Sequence, residues 1–288
     1  MPDLTLAENL LYSTVKLTAS KGGAPLSTGT GFFMQTAVRG ENFVPMIITN
    51  KHVIKGCDMI TAICHFADGD QPSGRFVACN MTIAPGSYVP HPSADIDLCA
   101  IPLGDIMQQA AAKGSPLFLR FLGFDVVPKN DDWDFFDAIE EVTMVGCPNG
   151  ISDEANNLPI VRRGITASSL AKRYNGKDEF MVDMACFPGS SGSPIFIYDR
   201  NGYLDRRANS YIMGQQRLLL VGILYAGPLI ANSGQIILGQ PPKVEVAAMM
   251  HLGNAIRASA LTVLDNEIRR LVPTLSAPSA EVTELPAS

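Results

Sequence analysis

Short apolar runs, many of them alternating with polar residues, recur along the whole sequence and are cut by clusters of Gly, Pro, Asn and Asp. Helical periodicity is confined to few places, so the chain is predicted to be all-β. The first part holds six candidate strands: Tyr12–Ser20, Thr30–Val38, Phe43–Asn50, Met59–Phe66, Arg75–Ala84 and Asp97–Leu103. The second part holds six more: Glu141–Pro148, Leu158–Ser168, Phe180–Ala185, Ser193–Asp199, Leu218–Gly227 and His251–Ala258. Two sets of six predict two six-stranded antiparallel β-barrels, because closure removes the exposed edges of an open sheet. A short helix, GDIMQQAAAKG, and the acidic aromatic stretch NDDWDFFDAIEE lie between the sets. In ASALTVLDNEIRRLV, Leu261, Leu264, Ile268 and Leu271 recur at spacings of three and four, which predicts a C-terminal helix packed on the second barrel. The expected organisation is a first barrel with the inter-barrel linker over residues 1–120, a second barrel with the helix over 121–273, and a mobile tail over 274–288, rich in Pro, Ser and Ala.

With 288 residues, 47% hydrophobic and 17% charged, the chain has enough apolar material for a sizeable core. A net charge of −6, without any Lys/Arg stripe interleaved with aromatics, argues against nucleic acid and against an anionic membrane surface as partners. The N-terminus lacks a basic region before an apolar core, and no run of about 18 apolar residues occurs, so a soluble cytoplasmic chain is expected. Six cysteines without C-x-x-C spacing suggest reduced buried thiols rather than a disulfide framework or a zinc site. Cys64 and His65 are adjacent, and adjacent residues of a strand point to opposite faces. No cofactor and no metal are expected, and the oligomeric state is not legible.

The stretch MACFPGSSGSPIFIYD places a Gly/Ser/Pro cluster between an apolar segment and a β-rich run. Such a cluster is either a plain turn or a nucleophile turn, and it offers two serines, Ser190 and Ser191. A serine hydroxyl is a weak nucleophile at neutral pH; acyl transfer needs a neighbouring base and a carboxylate to fix the tautomer of that base. The histidines are His52, His65, His91 and His251. His52 stands apart because it follows an apolar strand in MIITNKHVIKG, where a side chain can project from a barrel rim. Asp95 and Asp97 in HPSADIDLCAIPL are the acids, and Asp97 sits at the entrance of a buried strand.

TGTGFFM, IITNKHVI, DIDLCAIPL, GSSGSP and LLLVGILYAG occur in the order of the chymotrypsin/trypsin-like serine peptidases. From about Tyr12 to Leu271 the chain resembles that family, most of all its bacterial Deg/HtrA-type branch, with PIVRRGITAS and HLGNAIRASAL resembling second-barrel strands. The resemblance implies a chymotrypsin-like pair of barrels and a serine endopeptidase acting on protein or peptide substrates. It makes Ser191, the serine before the second glycine of the turn, the nucleophile, with His52 as base and Asp97 as its orienting acid. The N–H groups of Gly189 and Ser191 would form the oxyanion hole.

By the same carry-over Ala185, Cys186 and Phe187 lie at the base of the primary specificity pocket. Tyr225, Ala226 and Gly227 form the edge that pairs with substrate, and Gly253 lines the opposite wall. No acid lies at the base, so small or medium apolar residues are expected before the scissile bond. Met213–Arg217 and the segment Pro228–Met250 are placed to reshape that pocket. Many trypsin-type enzymes carry at the position of Ser190 an aspartate that pairs with a new N-terminal amine after cleavage; Ser190 implies that no such activation step operates. The PDZ domain usual in Deg-type relatives is not expected. The alternative is a catalytically silent module of the same fold. An esterase elbow is opposed by Ser193, by the Pro-led strand after the turn, and by His251 being the one later histidine; a metal hydrolase is opposed by the lack of H-E-x-x-H.

Overall fold

The computed structural model describes residues 3–227, 229–235, 243–249, 251–271 and 280–284. A short helix, α1 (Leu6–Tyr12), opens the fold, its first turn closed by Thr5 and Glu8 in a reciprocal capping box. The first half then runs β1 (Thr14–Lys21), β2 (Ala24–Arg39), β3 (Asn42–Thr49), β4 (Met59–Asp68), β5 (Gln71–Thr82), β6 (Val89–Pro90), β7 (Cys99–Pro102), α2 (Gly104–Ala112) and β8 (Leu117–Phe118). The second half holds β9 (Glu141–Gly146), β10 (Ile160–Thr166), β11 (Glu179–Asp183), β12 (Pro194–Asp199), β13 (Gly202–Asp205), β14 (Ser210–Met213), β15 (Arg217–Ala226), β16 (Leu229–Gln235), β17 (Lys243–Met249), β18 (Leu252–Arg257), α3 (Ala260–Leu271) and β19 (Ala280–Glu284).

All twelve expected strands form. Six of them pair in the order β5-β4-β1-β2-β3-β7, with β6 on β7, β8 on β4 and β19 on the outer edge of β5. The sheet curls, so that Val77, Cys79 and Met81 from one end of this order share a core with Cys99 and Ile101 from the other, around Leu17, Phe33 and Ile47. The other six close completely as β9-β10-β11-β18-β15-β12. The chymotrypsin-like all-β fold with a C-terminal helix is thus the fold observed.

Between the two cores lies a third, and it explains why several strands read as unbroken apolar runs. In β2, Phe33 faces the first barrel while Phe32 and Met34 face away from it; in β3, Ile47 does the former and Met46 and Ile48 the latter. The outward set meets Val145, Phe196, Leu220, Ile223 and Ile256 of the second half. A strand buried on both faces loses the alternation of a half-buried one.

Helix α3 corrects one expectation. Rather than resting on the second barrel alone, it is anchored to β2: buried Asp265 accepts the Ala37 N–H at 2.5 Å, and Arg269 donates to the Val38 carbonyl at 3.2 Å while pairing with Asp265. Leu261, Leu264 and Ile268 enter the shared central core. Two hairpins, β13–β14 and β16–β17, were not read from the sequence as strands. The expected mobile tail is partly replaced by β19, whose residues 280–284 pair antiparallel with Met81 to Val77 and so cover the edge of β5. The rest of the tail expectation, and parts of 228–250, lie outside the described residues.

A buried histidine ties the halves together. His65 donates from Nε2 to the Asn157 carbonyl at 3.0 Å, Asn157 returns a bond to the Ile63 carbonyl at 2.9 Å, and the ring sits edge-on between Tyr12 and Phe76. Burial lowers its pKa below the ordinary 6.5. The folded state therefore favours the neutral ring; its stabilisation is present above 6.5 and is lost as the pH falls through that value and below. The melting temperature is expected to drop between about pH 7 and 5, and His65→Gln to flatten that slope. An unchanged slope in thermal melts of the variant would refute this role.

Candidate active site

β3 and β7 pair with Thr49 opposite Cys99, so the chain leaving one and the chain entering the other share a rim. His52 lies in a single 3₁₀ turn, Lys51–Val53, directly after β3. Asp97 stands two residues before β7. One carboxylate oxygen of Asp97 is 2.5 Å from His52 Nδ1 and the other accepts the His52 backbone N–H at 3.1 Å. Because the carboxylate accepts, Nδ1 carries the proton and Nε2 is the basic nitrogen. Asn50 donates to the Asp97 carbonyl at 2.7 Å, and Lys51 to the Ser93 carbonyl at 2.8 Å, which fixes the loop on which Asp97 sits. A groove of about 620 Å³ opens beside the pair, lined in part by Lys51, Lys55, Cys57 and Tyr88.

Ser191 lies on the loop between β11 and β12, and that loop is held from the first barrel by Thr30. This buried residue donates its N–H to the Ser191 carbonyl (2.8 Å) and its hydroxyl to the Gly189 carbonyl (3.0 Å). The same hydroxyl accepts the Cys147 N–H at 3.0 Å, and Thr49 donates to the Thr30 carbonyl at 2.7 Å. Gly192, at φ +88°, passes so close to Thr30 that a Cβ would lie 2.0 Å from its carbonyl oxygen; no side chain fits.

The peptide before Ser190 has a defined direction. Ser190 N–H donates to the Phe187 carbonyl at 3.0 Å, closing a turn with Pro188 and then Gly189 at its centre. Gly189 has φ +81°, as the third position of a type II turn requires. The Pro188 carbonyl accepts the Asn149 N–H at 2.5 Å. No peptide bond in the described chain is cis, so the Gly189 N–H points the opposite way from that carbonyl. The Ser191 hydroxyl donates to the Tyr225 carbonyl at 3.4 Å, and among the described residues no hydrogen bond joins it to His52.

Of the residues expected to line a specificity pocket, Cys186 lies against Gly227 and Gly253. Its Sγ lies where a Cβ on Gly253 would be 2.4 Å away, and its Cβ is 3.9 Å from the corresponding position at Gly227. Burial raises the Cys186 thiol to about 11, against a downward pull from Arg162 and an upward push from Asp183. Phe187 stacks edge-on with His251 at 5.8 Å. Ala226 pairs with Asn254 across β15 and β18. Burial first, and the nearby buried Glu179 second, raise the pKa of the Tyr225 phenol. The Ala185 carbonyl accepts from Arg162 at 2.5 Å.

Asp95 is exposed, and His65 and His91 are buried within the first half. Among the described residues no group of His, Cys, Asp and Glu is arranged to hold a metal ion, and all six cysteines are free. No helix is long and apolar enough to cross a membrane. Thr30, Asn149 and Arg162 were missed as site residues; the signal for Thr30 lay in TGTGFFM, but its partners Gly189 and Cys147 are more than a hundred residues away.

The family model of the trypsin-like peptidase domain matches residues 29–204. No curated protein matches the sequence. Among solved structures, the chain is similar to the serine endoprotease from Yersinia pestis at 15% identity and TM-score 0.47, over 93% of this chain and 68% of that one. It is also similar to Rv3671c from M. tuberculosis H37Rv, a serine-to-alanine mutant in an inactive form, at 12% identity and TM-score 0.43, over 96% of this chain and 97% of that one.

Proposed function

Since this chain belongs to the family of trypsin-like peptidase domains, we propose that it is a serine endopeptidase working through Ser191, His52 and Asp97. The observation that carries this reading is the two-point attachment of Asp97 to His52, through the ring Nδ1 and through the backbone N–H. A carboxylate bound at both points sets the ring's tautomer and its orientation together.

In the proposed reaction the Ser191 hydroxyl leaves its long bond to Tyr225, turns to His52 Nε2, and attacks the scissile carbonyl carbon as Nε2 takes its proton. The oxyanion is met by the N–H groups of Gly189 and Ser191; the direction of the Pro188–Gly189 peptide supports this role for Gly189. His52 gives the proton to the leaving amine, and the acyl-enzyme forms. Water, deprotonated by His52, then releases the acid and restores Ser191. Asp97 stays ionised throughout and stabilises the imidazolium. One oxyanion donor contributes about 3 kcal/mol in comparable sites.

Cys186, seated between Gly227 and Gly253, would fill the base of a primary specificity pocket with a thiol rather than a carboxylate, which supports cleavage after small or medium apolar residues. The guanidinium of Arg162 behind Ala185 adds a reason to refuse lysine and arginine. A peptide-library cleavage profile, with Ser191→Ala run in parallel, tests the reading. Cleavage is expected after alanine-sized to valine-sized residues, and Cys186→Gly is expected to extend it to larger ones, at about tenfold per extra methylene or two. Preferred cleavage after Arg or Lys would overturn the pocket, and equal cleavage by the alanine variant would overturn the mechanism.

A further inference from the structure

Strand β10 alternates cleanly: Val161, Arg163 and Ile165 are exposed, and Arg162 between them turns inward. An inward position of a barrel strand ordinarily carries an apolar side chain. Arg162 brings a cation there instead, and its Nε and Nη2 are buried with no hydrogen-bond partner. The ionisable groups it feels are the buried thiols of Cys147 and Cys186, and none of the ion pairs among the described residues involves it. A desolvated charge without a counter-ion works against folding.

Its one engaged nitrogen shows what the charge is for. Nη1 donates to the Ala185 carbonyl at 2.5 Å and to the Ser190 hydroxyl at 2.9 Å. These two acceptors are the two ends of the segment 185–190, which contains the turn that directs the Gly189 N–H and which leads straight into Ser191. Ser190 is wholly buried, so its hydroxyl has no access to solvent as a substitute partner. Thr30 and Asn149 hold the middle of the loop through the Gly189 and Pro188 carbonyls; Arg162 closes its base.

We infer that Arg162 is a positioning residue, a built-in cation that clasps both ends of the 185–190 loop and keeps the Gly189 and Ser191 amides in register within the uncleaved chain. Its consequence for rate rests on the peptidase reading; its effect on loop order does not. The experiment therefore reads both. Amide hydrogen exchange of the 185–193 segment, the rate of Ser191 labelling by a fluorophosphonate, and thermal melting are compared in the parent, Arg162→Met, Arg162→Lys and Ser190→Ala.

Arg162→Met is expected to speed exchange in 185–193 by about 10–100-fold, the loss of charge-assisted hydrogen bonds, and to slow labelling by a similar factor. Its melting temperature is expected to hold or rise, since an apolar residue of like size replaces an uncompensated buried charge. Arg162→Lys keeps the charge and a donor and is expected to restore part of both. Ser190→Ala, which removes one acceptor, is expected to show a smaller change of the same sign, and it carries the test should the methionine variant not fold. Exchange unchanged in Arg162→Met, or in Ser190→Ala where that variant carries the test, overturns the inference, as does a labelling loss that follows melting temperature with no rescue by lysine. A parent that fails to label while the exchange differences appear as described overturns the peptidase reading and upholds the clasp.

Discussion

Ser191→Ala is expected to abolish fluorophosphonate labelling of the chain and to reduce kcat for peptide cleavage by about 10⁶-fold, with KM nearly unchanged. The size follows from the chemistry: without the hydroxyl there is no acyl-enzyme, and what remains is the general polarisation of a bound carbonyl by the amides of Gly189 and residue 191. The variant should melt with the parent. The Ser191 hydroxyl is only partly buried and makes one long bond, 3.4 Å to the Tyr225 carbonyl, so its removal leaves no strong donor or acceptor stranded. Intact parent protein that does not label, with the alanine variant behaving identically, would return the chain to a silent module of the same fold.

Asp97→Asn is expected to lower kcat by about 10⁴-fold while KM stays near the parent value. Asp97 accepts two hydrogen bonds from His52, one from the ring and one from the backbone. An asparagine can accept only through its carbonyl oxygen. If that oxygen takes the backbone N–H, the amide group faces Nδ1, donates to it, and leaves the proton on Nε2, where the ring no longer acts as a base toward serine. If the oxygen faces Nδ1, the amide and the His52 backbone N–H, both donors, oppose each other and the ring loses its second anchor. Asp95→Asn serves as the control, because that side chain is exposed. Loss in Asp95→Asn rather than in Asp97→Asn would show that the wrong acid has been assigned.

Asp97 and His52 illustrate how much of the site was legible beforehand. MIITNKHVIKG and DIDLCAIPL are each a buried strand with polar residues at its rim, and antiparallel pairing of Thr49 with Cys99 suffices to bring the rims together. The glycines at 189 and 192 were legible as turn residues, though not the reason that Gly192 admits no side chain, which is the carbonyl of Thr30 pressed against it. The hairpin β13–β14 escaped notice because it has no buried face to impose alternation; Tyr211 and Met213 are exposed. Helix α3 was legible as a helix from its apolar spacing, but the stripe does not say which wall it meets. That was settled by the Ala37 amide, positioned for Asp265 over two hundred residues away in the chain.

What the sequence by itself determined, then, was the twelve strands that build the two halves, the two-part all-β fold and the rim location of His52, Asp97 and Ser191. Each is written in a local pattern: period-two apolarity, turn residues, or a short motif at a strand end. Only the tertiary structure decided that Thr30 braces the serine loop, that the Pro188 carbonyl turns to Asn149, that the Ser191 hydroxyl rests on Tyr225, and that Arg162 sits uncompensated behind Ala185. Those are single hydrogen bonds between residues remote in sequence. A hydrogen bond is directional to within a few tenths of an ångström, so it depends on the final register of the strands that carry it, and no local pattern records that register.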